Sequence, residues 1–294
     1  MKLTLKFNLV LLAVFLIGLA ITAHVSHNML QANARDEVVQ NARIMMEAAL
    51  AARGYTIGQI RPLLETQMKY NFLPQTVPSY SATEIFNNLR KTYPKFTYKE
   101  ATLNPTNPRD RPLEWEADIV NQFRNDDARV EAIGERDTPD GRSLYLGRPI
   151  KIKDPACLVC HSTVDVAPKT MIDLYGNSNG FGWKINETVG AQIVSVPMSV
   201  PVQKAEKVFR TFMLSLTGVF AFTFIALNLM LRFIVVRPLA RLATLADQVS
   251  LGNMDAEDFK VSGKDELSVL AQSFSRMRTS LETAMKMLGG DEKV

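Results

Sequence analysis

Cysteine is nearly missing from this chain. Only Cys157 and Cys160 occur in 294 residues, which excludes a scaffold stapled by disulfides. A strong charge of either sign is missing as well. Lys and Arg number 34 against 30 Asp and Glu, a net of +4, and the excess gathers in no patch. Nucleic acid is therefore not an expected partner, despite a pI near 9.0. The composition also lacks the bias of wholly disordered, collagen-like or low-complexity chains.

Formal charge is absent altogether from two long runs, Phe7–Ala34 and Thr211–Leu231. The apolar centre of the first, Leu9–Val25, is about the shortest length that spans a bilayer, and the second is a comfortable span. The first run has a rival reading as a cleaved leader, with Lys2 and Lys6 as its basic start and Ile21-Thr22-Ala23 as the cleavage site. Ile21 is a poor substitute for the small residue such a site needs, and helix-compatible sequence continues past it, which favours a retained span. Lys2 and Lys6 precede the span, and no basic residue follows before Arg35, so the N-terminus is expected in the cytoplasm. The second span is flanked by basic residues on both sides and gives no direction. Two spans return the C-terminus to the cytoplasm and leave residues 29–208 outside a bacterial inner membrane, in the periplasm.

That external segment reads as α+β. Val38, Ala42, Met45, Ala49 and Ala52 recur at helical spacing and predict a helix over 29–69 that Pro62 ends or kinks. Ser81 and Glu84 have capping-box spacing and predict a helix opening at Ser81 and reaching about Tyr93. Phe96–Lys99, Ser143–Ile152 and Val189–Val196 read as strands, the second after an Asp140-Gly141 turn. Leu103–Pro108 reads as loop and Leu113–Asn125 as helix. A further helix is expected from about Val202 into the second span.

Cys157-Leu158-Val159-Cys160-His161 is a C-x-x-C-H, the attachment signature of c-type haem. Two thiols one turn apart can each add to a haem vinyl group, and the next imidazole then falls beneath the iron as its axial ligand. A structural zinc site wants four ligands, and no second Cys/His pair exists. A thioredoxin-like pair lacks its βαβ context. One covalent haem per chain is the expectation, with Cys157 and Cys160 as attachment points and His161 as iron ligand. For the sixth position the thioethers are Met45, Met46, Met68, Met171 and Met198. Met45 and Met46 lead, because the Ala42, Ala48, Ala49 and Ala52 face could lie close to a flat macrocycle. Core filling is the commoner role of methionine, and an open site that admits a diatomic gas stands beside these choices. Tyr175, Phe181 and Trp183 belong to a Gly-rich loop that either covers a haem face or is a turn anchored by its aromatics. Arg53, Arg61 and Arg148 are candidate partners of haem propionates.

Past the second span, Leu239, Leu242, Ala246 and Val249 mark one amphipathic helix, ended by Gly252-Asn253. A connector with Phe259 and Val261 leads to Asp265-Glu266, which opens a second helix. There Leu267, Leu270, Phe274, Met277, Leu281, Ala284 and Leu288 form a coiled-coil seam. Two such helices bury their seams only in a parallel dimer. This pair, with Pro238 after the span, resembles a HAMP domain, the relay module of bacterial transmembrane receptors.

The external segment resembles a family of periplasmic c-type haem sensor domains with a PAS-like core. The resemblance rests on Arg53–Thr56, Val77-Pro78, Leu103–Asn107, Arg148–Ile150, Cys157–His161 and Gly180–Trp183 through to Val196-Pro197. It implies a PAS-like sheet, covalent haem on Cys157, Cys160 and His161, and redox or small-ligand sensing. A distal cysteine, used by some members, has no counterpart here.

The expected order is a cytoplasmic start (1–8), a span (9–28), the haem domain (29–208), a second span (211–231), a HAMP pair (232–288) and a tail (289–294). The expected function is a homodimeric sensor in contact with membrane lipid. A gas or redox donor would be its stimulus and a cytoplasmic partner in trans its output, since no catalytic domain follows. A membrane-anchored electron-transfer cytochrome c is the alternative. An enzyme is disfavoured because no distal histidine is available as acid or base.

Overall fold

The computed structural model describes residues 3–139, 141–253, 263 and 265–290. Lys2, Asp140, the connector residues Phe259 and Val261, and the tail from 291 onward lie outside the described residues. The chain divides into two compact units. One is Ser26–Phe209; the other combines Met1–Val25 with Arg210–Val294.

Helix α1 (Leu3–Tyr55) contains the first apolar run and the expected external helix. Pro62 does not end it. A π-helical turn, Thr56–Ile60, precedes α2 (Arg61–Met68), and the Arg61 N–H bonds to the Thr56 carbonyl. Proline lacks an N–H and crowds the carbonyl four residues back, and one wider turn relieves both problems. Helix α3 (Pro78–Leu89) also departs from expectation. Pro78, suited by its fixed φ to a first turn, starts the helix ahead of Ser81. Ser81 sits inside it, its hydroxyl donating to the Pro78 carbonyl and paired with Thr56 Oγ1 at 2.6 Å, so no capping box forms.

Strands β1 (Thr97–Thr102), β2 (Ala132–Thr138), β3 (Gly141–Lys151) and β4 (Thr188–Pro197) form one antiparallel sheet in the order β1-β4-β3-β2. Its side chains alternate between two covered faces. Tyr98, Leu144, Leu146, Val194 and Val196 meet Val38, Ala42, Met45, Met46 and Ala49 of α1 and Phe86 of α3. Ala101, Ala132, Ala191 and Ile193 meet Ile119, Val120 and Phe123 of α4 (Glu114–Asn125) on the other. The α+β class holds, but β2 was not expected. Its sequence, with Gly134 and three charges, lacks strand character. Tyr145 supplies the missing bulk: a Cβ on Gly134 would fall 2.3 Å from its hydroxyl oxygen.

Between β3 and β4 lie two short helices, α5 (Leu158–His161) and α6 (Lys169–Tyr175). Helix α7 (Ser199–Met230) follows the sheet. Two helices are long and apolar enough to cross a membrane. In the unit that holds both apolar runs, Phe15 stacks on Phe220 with centroids 5.0 Å apart. A second π-helical turn, Leu231–Val236, again precedes an Arg-Pro-Leu, and α8 (Arg237–Ser250) begins there. Gly252, with φ +89°, follows it. Helix α9 (Glu266–Gly290) is capped by the Asp265 carboxylate, which accepts the Ser268 N–H at 2.9 Å. Along its seam Leu270, Met277 and Leu281 remain exposed.

Candidate cofactor site

Asp154 builds the local turn that presents the C-x-x-C-H. Its carboxylate accepts the Ala156 N–H at 2.9 Å and its carbonyl the Cys157 N–H at 3.1 Å. The chain then winds through Pro155–Cys157 into α5, so Cys157 and Cys160 lie one turn apart, both as free thiols. Burial pushes both thiols up.

His161 is held from three sides. Its Nδ1–H donates to the Gly180 carbonyl at 2.7 Å, and Thr106 Oγ1 stands 3.4 Å from the same nitrogen. A carbonyl can only accept, so the proton sits on Nδ1 and Nε2 keeps its lone pair. The Trp183 ring stacks on the imidazole at 3.9 Å and 15°. Burial lowers the His161 pKa and favours the neutral ring. The Gly180 loop is tied in turn to Asn104. Gly180 N–H donates to Asn104 Oδ1 at 3.2 Å, and Asn104 Nδ2 donates to the Phe181 carbonyl at 3.3 Å.

A cavity of about 380 Å³ opens beside these residues, walled by both cysteines, His161, Trp183, Tyr175, Met68 and Met171. Arg53, Arg61, Arg109, Lys151 and Lys153 supply cations to the wall, and the buried Glu100, the half-buried Asp110 and the exposed Asp154 supply acid. Arg53 is paired with Glu100, Arg109 with Glu84, and Lys151 with Asp127. Arg61 and Lys153 have no acidic partner among the described residues.

The expected residues divide. Cys157, Cys160, His161, Arg53, Arg61, Tyr175 and Trp183 share the cavity wall. Phe181 packs behind it with Met171 and Cys160. Met45 and Met46 do not belong to the site, which corrects the leading choice of sixth ligand. Both are buried between α1 and the sheet, as is Met198, because the spacing that makes their helix face apolar also turns it to the core. Arg148 is bound to Glu47 and Glu131 away from the cavity. Asn104, Thr106, Gly180, Glu100 and Asp110 were missed as site residues. The Asn-Pro-Thr-Asn loop and the glycine offered a signal for the first three; the two acids offered none.

Burial pushes the Asp110 carboxyl up to about 6, against a weaker pull from Arg109. Its folded value lies above the ordinary 3.8, so the native state holds this proton more tightly than the unfolded chain does. The stabilisation is complete below about pH 4 and is lost as the pH rises through about 6. Asp110→Asn is therefore expected to gain stability relative to wild type across that window. Urea titrations of the cofactor-free chain, followed through Trp115 and Trp183, measure this, and a difference that stays constant with pH contradicts it.

The Tll0287-like family model matches residues 31–197, more than half of the chain. The chain belongs to the Tll0287-like family. A HAMP domain model matches residues 230–283, after the Tll0287-like domain. The crystal structure of a cyanobacterial haem protein, Tll0287, is similar at 16% identity and a TM-score of 0.43, covering 55% of this chain and 95% of that one. No curated protein matches. A Tll0287-like domain joined to a HAMP region indicates a sensor-transducer, with a signalling rather than a catalytic role.

Proposed function

We propose that this chain holds one covalent haem in its periplasmic Tll0287-like domain and senses redox state or a small haem ligand there. The HAMP region relays the change across the inner membrane, as a homodimer, to a cytoplasmic partner in trans. One observation carries this reading: an imidazole with Nδ1 tied to Gly180 and Nε2 unspent borders a cavity beside two free thiols one turn apart. Cys157 and Cys160 would form thioethers and His161 would ligate through Nε2. When bound, haem supplies an iron that changes oxidation state or takes a small ligand. Arg61 and Lys153 have charge to spare for the propionates, whereas Arg53 is committed to Glu100. Met68 and Met171 are the thioethers on the wall; the Met68 sulfur accepts from the Thr76 hydroxyl at 3.0 Å, which leaves Met171 the less committed candidate for the sixth position. The exposed Leu270, Met277 and Leu281 seam supports dimerisation through HAMP.

Optical spectra of the full chain, matured in a host that attaches c-type haem, test this. Wild type is expected to retain haem through denaturation, and the Cys157→Ala, Cys160→Ala double variant to lose it. A six-coordinate ferrous spectrum unmoved by CO or NO assigns redox sensing; one that shifts assigns a gas stimulus. A wild-type chain without covalent haem overturns the reading.

A further inference from the structure

Several charges of the cavity wall are held in close pairs; among the described residues Arg61, Lys153 and Asp154 have no ion pair, and Asp110 has only a long one. Glu100 accepts from Arg53 and from the Tyr98 hydroxyl at 2.7 Å. Arg109 is spent on Glu84 and lies over the Tyr80 ring at 4.4 Å. Lys99, a more distant cation, is taken by Glu116 at 2.8 Å. Asp110 is left over. Its nearest cation is Arg109 Nε at 3.8 Å, beyond a hydrogen bond, and that buried Nε has no hydrogen-bond partner. Among the described residues no group donates a hydrogen bond to the Asp110 carboxylate. Of the other charged groups with which it interacts, Glu100 disfavours its negative charge and Lys99 favours it from a distance while paired with Glu116; the Asp110 charge in turn helps to raise the pKa of the neutral Tyr175 phenol. The wall also carries Arg61, Lys153, and Lys151 with its partner Asp127.

We propose that Asp110 is a redox-linked proton site: it binds a proton when the domain's haem is reduced and releases it on oxidation, so the sensor reads pH together with redox state. This rests on the haem reading above. The balance is one electron from a one-electron donor to the iron and one proton from water to an Asp110 carboxylate oxygen; oxidation reverses both. The sign follows from Coulomb's law, since an added electron makes a second negative charge on the same cavity wall costlier. The raised Asp110 pKa places the exchange near physiological pH. The competing acids are held otherwise: Glu100 by Arg53 and Tyr98, and Asp154 by the Ala156 turn.

The test is spectroelectrochemical titration of the haem-loaded full chain from about pH 5 to about pH 8. Reduction is expected to tighten the proton at least tenfold, so the wild-type midpoint falls by about 59 mV or more as the pH rises. Asp110→Asn is expected to hold the acid-limb potential throughout, while Asp110→Glu keeps the slope. A flat wild-type curve, or a slope that survives in Asp110→Asn, overturns the proposal. Should Asp110→Asn fail to fold, the reduced-minus-oxidised infrared spectrum of wild type decides: a protonated-carboxyl band gained on reduction supports the proposal and its absence overturns it. A chain that retains no haem overturns the underlying reading instead, and the two failures are distinct.

Discussion

Arg53→Met is expected to cost about 3–5 kcal/mol of folding stability, because it leaves a carboxylate buried without its cation. Glu100 is 3% exposed and lies on β1 with its charge met by the Arg53 guanidinium of α1. Tyr98 would remain as a donor, its pKa driven far up by burial and by the Glu100 charge so that it keeps its proton. Gln192 Nε2 supports that hydroxyl from β4 at 3.3 Å, so the pair anchors a short polar chain running into the apolar core. One phenol cannot replace a guanidinium, so the carboxylate is left without its counter-charge. Urea denaturation of the full chain at neutral pH measures the loss. Arg53→Met/Glu100→Leu is expected to recover most of the loss, since removing both charges also removes the desolvation cost. A single variant as stable as wild type, or a double variant no better than the single, would falsify this account.

The pair also has a place in the proposed relay. It joins the cavity wall to α1, the helix that contains the first apolar run. A change of charge in the cavity would act on a salt bridge that fixes α1 to β1, and two π-helical turns interrupt the helices before Pro62 and Pro238. Such turns are places where a helix can change its register locally.

What could be read in advance was what local spacing encodes. The Val38, Ala42, Met45, Ala49 and Ala52 pattern predicts both the helix and its buried face, four of the five being core residues. The same pattern marks Met45 and Met46 as core residues rather than ligands, since an apolar stripe of that width is turned to a core. The C-x-x-C-H was legible because its chemistry lies within one turn. Strand β2 was not, because Gly134 owes its place to Tyr145 on the neighbouring strand rather than to its own propensity. The capping box at Ser81 lost to Pro78 three residues earlier. The Asn104 and Thr106 clasp joins residues 55 to 77 positions apart, and Asp110 is unusual only for where it is buried. Neither leaves a periodic trace.

Gly180→Ala is expected to cost roughly 2–4 kcal/mol, the sum of a left-handed backbone cost and local overpacking. The glycine has φ +87°, and an added Cβ would lie 2.0 Å from Thr106 Oγ1 and 2.9 Å from Thr106 Cα. A side-chain rotation of Thr106 could clear the first clash, but the second is with backbone, so the two loops must separate. Gly180 offers its N–H to Asn104 and its carbonyl to His161 Nδ1, and separation strains both bonds at once. The histidine would then lose the acceptor that fixes its tautomer and the orientation of Nε2. Two measurements distinguish this from a merely structural loss. In the haem-loaded chain the midpoint potential and ligand-field spectrum are expected to move, because the imidazole basicity set by the Gly180 carbonyl changes. In the cofactor-free chain Trp183 emission is expected to shift, since its ring stacks on His161 at 3.9 Å. Thr106→Ala added to Gly180→Ala should return part of the stability by removing the hydroxyl clash. It should not return all of it, because the crowding against the Thr106 backbone and the positive φ persist. A Gly180→Ala protein with unchanged stability, spectrum and Trp183 emission would mean that the clasp does not position His161.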